Sequence, residues 1–186
     1  SRSDQRDTDQ WKQELETHKQ NIEDAQAAIG FQELAVYDLP DNRFDKLDLL
    51  DVIKIVEAEK KTFDPQVIFT HHGGDLNVDH RITYQAVVTA TRPMEHETVE
   101  TIVAFETPSG TEWRASDDPY QFIPNFFVEI SEGNLNAKIK GMESYEFEKR
   151  PYPHPRSPEA LKILAQYRGL TVGKHFAEAF RIIRTF

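Results

Sequence analysis

One stretch concentrates the side chains able to do chemistry: Thr70-His71-His72-Gly73-Gly74-Asp75-Leu76-Asn77-Val78-Asp79-His80-Arg81. It holds three histidines and two aspartates within ten residues. Imidazole and carboxylate ligate zinc, and both transfer protons near neutral pH. The glycine pair permits a tight turn and a close backbone approach. Spacing alone groups His72, Asp75 and His80 as one local metal set. Asn77 or Asp79 can cap a following helix, which sets His80 in its first turn, facing back over the loop. Each residue taken singly has an ordinary structural reading; the cluster carries the information. Elsewhere, His154 in YPHPRS is a second candidate histidine, and Arg43, Arg81 and Arg156 could pair with a substrate phosphate or hydroxyl cluster.

The elements that must position this loop alternate between helix and strand. Trp11, Leu15, His18, Ile22, Ala25 and Ile29 share one helical face, with Gly30 placed to end the helix. Leu34–Tyr37 reads as a short buried strand, followed by the loop Asp38–Asp45. Leu47–Lys61 reads as a helix with Leu49, Leu50, Ile53 and Val56 inward. Pro65–Thr70 reads as a central parallel strand and Arg81–Thr91 as a helix stopped by Pro93. Glu100–Glu106 and Asn125–Ser131 are strand candidates, separated by the aromatic stretch Thr107–Pro124. Gly133–Tyr145 and Ser157–Arg168 read as helices, and Phe180–Ile183 as a short strand or a helix extension. Alternation of this kind argues for an α/β fold with a mainly parallel sheet. Ligands in such sheets bind beyond the carboxyl ends of strands, which singles out the loops after Tyr37 and after Thr70.

Composition narrows the classes. The 186 residues fit one domain, and 12 Phe, 6 Tyr and 2 Trp suffice for a core. With no Cys, a disulfide framework, a thiolate metal site and a cysteine nucleophile are excluded. Twenty-two basic against 32 acidic residues give a net charge of −10, which disfavours nucleic acid as a partner. Purely apolar runs, such as Leu34–Tyr37, Val67–Phe69 and Phe126–Val128, are too short to span a membrane, and Ser1–Gln10 is wholly polar. The expected compartment is the cytoplasm.

HHGGDLNVDHR, followed by ITYQAVVTATRP, strongly resembles a motif of the PIG-L (LmbE-like) family of zinc-dependent N-deacetylases. DLPDNRFD is similar to the family's loop after an early strand, FETPSGTEW to a stretch of its bacterial sugar-modifying members, and the segment from Arg150 to Arg184 to their C-terminal part. The resemblance implies one Rossmann-like domain over residues 1–186, with a mainly parallel sheet flanked by helices. It implies removal of an N-acetyl group from an amino sugar or sugar conjugate, with Zn2+ as cofactor. It makes His80 a zinc ligand and Asp79 a residue that supports or orients the site. Three positions before the zinc histidine many members place a histidine that stabilises the oxyanion; here Asn77 stands there, an amide that donates a hydrogen bond but carries no proton. His154 or His71 would then protonate the leaving amine, while His71, His72, Arg43 and Arg156 would contact substrate.

The family's other zinc ligands and its base belong to a His-Pro-Asp-Asp motif, a string that does not occur in this sequence. The expectation is that the family's first strand–helix–strand unit is absent from this chain, Ser1–Thr8 resembling the loop that follows it, and that a longer protein, or a second chain or copy, supplies it. A catalytically inactive sugar- or partner-binding relative is the alternative, and a hydratase or lyase on the same scaffold a third reading.

Overall fold

The computed structural model describes residues 8–115 and 117–186, with the side chains of residues 8–15 outside the description. The elements run α1 (Thr8–Ile29), a 3-10 turn (Phe44–Lys46), α2 (Leu49–Phe63), β1 (Val67–His71), α3 (Val78–Ala90), β2 (Thr101–Phe105), β3 (Phe126–Glu129), α4 (Glu132–Glu143), α5 (Pro158–Thr171) and β4 (Ala177–Thr185). They fall into two compact units. One holds the chain up to Val36 with Ile130–Phe176; the other holds Tyr37–Glu129 with Ala177–Phe186.

The second unit carries the sheet, in the order β1-β2-β4-β3. β1 and β2 run parallel, with Val67 opposite Thr101 and His71 opposite Phe105. β4 is antiparallel to β2 and to β3. The α/β class holds, but the sheet is mixed rather than mainly parallel. Only β1–α3–β2 is a helical crossover of the kind that enforces parallel pairing. β2 and β3 are joined by an irregular stretch, and β3 and β4 through the other unit, so the alternation of elements does not fix their directions. Val67–His71 is an edge strand among the described residues, not a central one; a β-branched run reports burial and propensity, not position in the sheet.

Helices α2 and α3 supply the core. Val52 and Ile53 pack against Ala86 and Ala90, with Leu47, Val56 and Ile82 around them. Val87, Val99 and Ile102 form a second cluster with Val56, Ile68 and Ile183. Ile53 and Val56 point inward as expected, while Leu49 and Leu50 are 37% and 60% exposed and Val52 takes their place. Residues 47–58 are apolar around more than one helical stripe, so periodicity leaves the choice of face open. Leu34–Tyr37 is irregular and pairs with no strand among the described residues, and Leu34, Val36 and Tyr37 are exposed. An apolar run becomes a strand only where a neighbour takes up its backbone groups.

In the first unit, Gly30 ends α1 at φ 91°. α1 packs on α4, where a Cβ on Gly141 would lie 2.7 Å from the Ile29 side chain. Ala25 and Asn21 are buried there. The side chains of Trp11 and Leu15, expected on the same face, and residues 1–7 of the Ser1–Thr8 stretch expected to be a loop lie outside the described residues, while Thr8 begins α1. Ser131 caps α4 in a reciprocal box with Asn134, and Ser157 caps α5 with Pro158 at its first position. Among the described residues no helix is long and apolar enough to cross a membrane.

Lys60 on α2 ties three segments of the sheet unit, donating to the Ala90 carbonyl and to the Glu97 carboxylate. Burial pushes the Glu97 carboxyl up, but the Lys60 and Val99 hydrogen bonds and the Lys60 and Arg184 charges outweigh it and hold Glu97 below the ordinary glutamate range. Stability from this pair is therefore present above the unfolded glutamate pKa and fades as pH falls through the lower folded one. Urea midpoints of Glu97→Gln and the parent chain should differ at pH 7 and converge at pH 3. Truncating the wholly buried Ile102 to Ala should cost about 2–5 kcal/mol. Leu50→Ala should stay within about 0.5 kcal/mol.

Candidate active site

β1 delivers His71 as its last residue, and the chain turns through His72–Leu76 into α3. Asn77 is the N-cap: its Oδ1 accepts the Asp79 amide at 2.8 Å. The string is thus one strand-to-helix connection, with His80 in the first turn. Two close approaches shape it. A Cβ on Gly74 would fall 2.0 Å from the Tyr120 carbonyl oxygen, and one on Gly73 2.6 Å from the Tyr84 ring. Arg81 folds back to donate to the carbonyls of Asp75 and Leu76 at 2.8 and 2.7 Å, so it braces the loop.

Asp75 is fully buried. Its Oδ1 accepts the Asn77 amide at 2.8 Å. Its Oδ2 lies 3.0 Å from His80 Nδ1. The distance is that of an ion pair, the alignment falls short of a hydrogen bond, and neither atom has another hydrogen-bond partner. The His71 ring stacks flat on His80, centroids 3.9 Å apart and planes at 4°. It also meets Phe105 edge-on at 4.8 Å. Burial, and then the nearby His80 charge, push His71 down to about 4 against a smaller opposing pull from Asp75. Burial pushes the Asp75 carboxyl up; contact with His80, the Asn77 amide, and the His80 and His71 charges reverse this and leave it below the ordinary aspartate range.

The spacing-based set of His72, Asp75 and His80 does not assemble. Asp75 and His80 meet, but His72 is buried elsewhere, with Nε2 2.9 Å from the Tyr120 carbonyl oxygen and its ring edge-on to Phe122 at 5.3 Å. Successive side chains along a strand point to opposite faces, so as β1 runs out His71 joins the His80 side and His72 does not. Among the described residues no three His, Asp or Glu side chains are grouped to hold a metal ion.

Asp79 faces the other loop. Its two carboxylate oxygens accept the amides of Asn42 and Phe44, at 2.6 and 3.0 Å. Asn77 Nδ2 donates to Asn42 Oδ1 at 3.2 Å. The loop after Tyr37 is thereby stitched to the start of α3, with Asn42 at φ 55° and half-buried Arg43 capping the 3-10 turn. The two loops singled out by the topology do meet. His154 and Arg156 lie in the other unit, where His154 Nδ1 accepts the Arg156 amide at 3.1 Å and the Arg156 guanidinium pairs with Glu148.

Sequence reasoning missed Gly110, Tyr120 and Phe122 as neighbours of the loop. A Cβ on Gly110 would lie 2.6 Å from both Asp75 oxygens. The block FETPSGTEW was a visible signal, but nothing in it says which of its residues touches the histidine loop.

Fold and loop together define an α/β protein with a histidine- and aspartate-rich loop at the carboxyl end of a parallel strand pair. Residues 1–91 match the PIG-L family, described as GlcNAc-PI de-N-acetylase, and the resemblance carried by the motif is borne out. No curated protein matches the chain. Among solved structures, the conserved protein TT1542 from Thermus thermophilus superposes with a TM-score of 0.69 at 19% identity, over 89% of this chain and 72% of its own. The N,N'-diacetylchitobiose deacetylase of Pyrococcus horikoshii gives 0.68 at 16% identity, over 91% of this chain and 64% of its own. GalB, the 4-carboxy-2-hydroxymuconate hydratase of Pseudomonas putida KT2440, gives 0.59 at 16% identity, over 92% of this chain and 72% of its own. At these identities the likeness is one of fold.

If Asp79 holds the Asp38–Asp45 loop, Asp79→Ala should cost about 1–3 kcal/mol. Hydrogen exchange at the Asn42 and Phe44 amides should accelerate well beyond that at amides within β2.

Proposed function

We propose that the protein removes an N-acetyl group from an amino sugar or sugar conjugate, with zinc as its cofactor. The observation that carries this reading is His80, set in the first turn of α3 within a PIG-L-type loop and backed by a buried carboxylate. A metal-binding imidazole commonly gives its other ring nitrogen to a carboxylate. His80 meets that requirement: with Nδ1 turned to Asp75, Nε2 is the nitrogen left for a metal. The donor set fits one ligand, His80; further ligands and the base would come from the His-Pro-Asp-Asp motif that the family resemblance implies. Bound zinc would activate a water and polarise the amide carbonyl.

This chain's own residues take the remaining roles. Water adds to the acetyl carbonyl, the C–N bond breaks, acetate leaves and the amine gains a proton. The Asn77 amide nitrogen has two hydrogens; one goes to Asn42 Oδ1, and the other is our donor to the oxyanion. Asp79 supports the site through the Asp38–Asp45 loop, on which Arg43 contacts the sugar. His71, held neutral by burial, is one candidate to relay a proton to the amine, and His154 the other. The deacetylase named above supports a sugar substrate. The likeness to a hydratase favours a second reading in which the same scaffold adds water to a double bond and releases no acetate.

Acetate release from N,N'-diacetylchitobiose and from N-acetylglucosamine conjugates separates the two. Release should stop with chelator, return with zinc, and fall at least about a hundredfold in His80→Ala, since even outer-shell partners of a metal are worth ten- to a hundredfold. Activity indifferent to both would remove zinc from the reaction, and binding without acetate release would favour a non-catalytic module.

A further inference from the structure

We propose that Asp75 is the positioning residue of His80: its carboxylate holds the Nδ1 proton and so makes Nε2 the nitrogen presented to a divalent metal. This rests on the reading of His80 as a zinc ligand. By resemblance the orienting role falls to Asp79, but both oxygens of Asp79 are taken by the amides of Asn42 and Phe44. Asp79 positions a loop, and the carboxylate left to face the ring is Asp75.

Three observations converge on this. First, Asp75 is wholly buried, its Oδ1 is occupied by the Asn77 amide, and its Oδ2 lies 3.0 Å from His80 Nδ1. Neither Oδ2 nor Nδ1 has another hydrogen-bond partner. A buried polar atom left unpaired is costly, and at 3.0 Å each is the group placed to answer the other after a small turn of the ring. Second, Gly110 presses on the carboxylate from the other side, where any Cβ would come within 2.6 Å of both oxygens. The Leu76 amide donates to the Gly110 carbonyl at 3.4 Å, and Arg81 fixes the Asp75 carbonyl. The carboxylate therefore has little room to turn from the ring. Third, His71 lies flat against His80 at 3.9 Å and closes one face of it.

The test begins with the unmodified, metal-free chain. Nitrogen-15 NMR of the histidine rings at a pH where they are neutral should show His80 as the Nδ1–H tautomer; an Nε2–H tautomer overturns the proposal. This measurement needs no variant and decides the matter even if Asp75→Ala fails to fold. Zinc affinity is then read, by competition with a chromophoric chelator, on the protein that includes the His-Pro-Asp-Asp ligands the family resemblance implies. Asp75→Ala should weaken it by about ten- to a hundredfold. Asp75→Asn, whose single acceptor oxygen is claimed by the Asn77 amide, turns an N–H donor toward Nδ1 and should weaken it as much, with the His80 ring shifted toward the Nε2–H tautomer. Gly110→Ala, which crowds the carboxylate without removing it, should fall between these and the parent. If His80→Ala binds zinc as the parent does, the ligand role of His80 fails and the proposal with it. If His80→Ala loses zinc while Asp75→Ala keeps parental affinity, the ligand role stands and the positioning role is overturned.

Discussion

A carboxylate shut away from water must be answered by donors, and the loop between β1 and α3 is arranged around one such group. Asp75 takes the Asn77 amide on one oxygen and faces the His80 imidazole with the other. Its own carbonyl receives Arg81. Losing the groups that face its carboxylate would leave a buried charge uncompensated, a larger loss than one hydrogen bond is worth. The turn, the helix start and the direction of His80 are thus consequences of one buried acid, and Gly110 is the residue whose missing side chain leaves space for it.

The second aspartate works outward. Asp79 sits in the first turn of α3, where an acidic side chain is favoured by the helix dipole, yet its oxygens point to backbone amides of the 42–44 turn. The same helix start therefore organises two loops at once: its cap residue Asn77 closes the helix through Oδ1 and reaches Asn42 through Nδ2. The position of Arg43 depends on this stitch, since Arg43 lies between the two amides that Asp79 holds.

Much of this was legible in the residues. The glycine end of α1, β2 and the helices α3 to α5 follow from local side-chain patterns, and of the two caps that spacing allowed for α3, Asn77 and Asp79, the structure has Asn77. What escaped depends on partners distant in sequence. Leu34–Tyr37 has the composition of a strand and no neighbour among the described residues. Leu49 and Leu50 have the character of core residues, but Val52 and Ile53 are the ones that α3 meets. The grouping of His72 with Asp75 and His80 failed for a geometric reason: spacing counts residues, while the pleat at the strand's end sends His71 and His72 apart. Gly110 is separated from Asp75 by 35 positions, and no local rule connects them.

A fold of this kind constrains the reaction less than the site does. Scaffolds host unrelated chemistries, and function resides in the groups grafted on them; here a deacetylase and a hydratase both superpose on the chain. Both reactions add water, so an activated water at a histidine-held metal would serve either. They differ in what must be stabilised afterwards. Amide hydrolysis builds an oxyanion and expels an amine, needing a hydrogen-bond donor beside the metal and a proton for nitrogen. In the proposed reading Asn77 would supply that donor, and His71, pushed down to about 4 by burial, would pass a proton as a neutral imidazole. A proton relayed from the attacking water would serve addition to a double bond as well as to an amide, so the proposed oxyanion donor, rather than the neutral ring, is what favours hydrolysis.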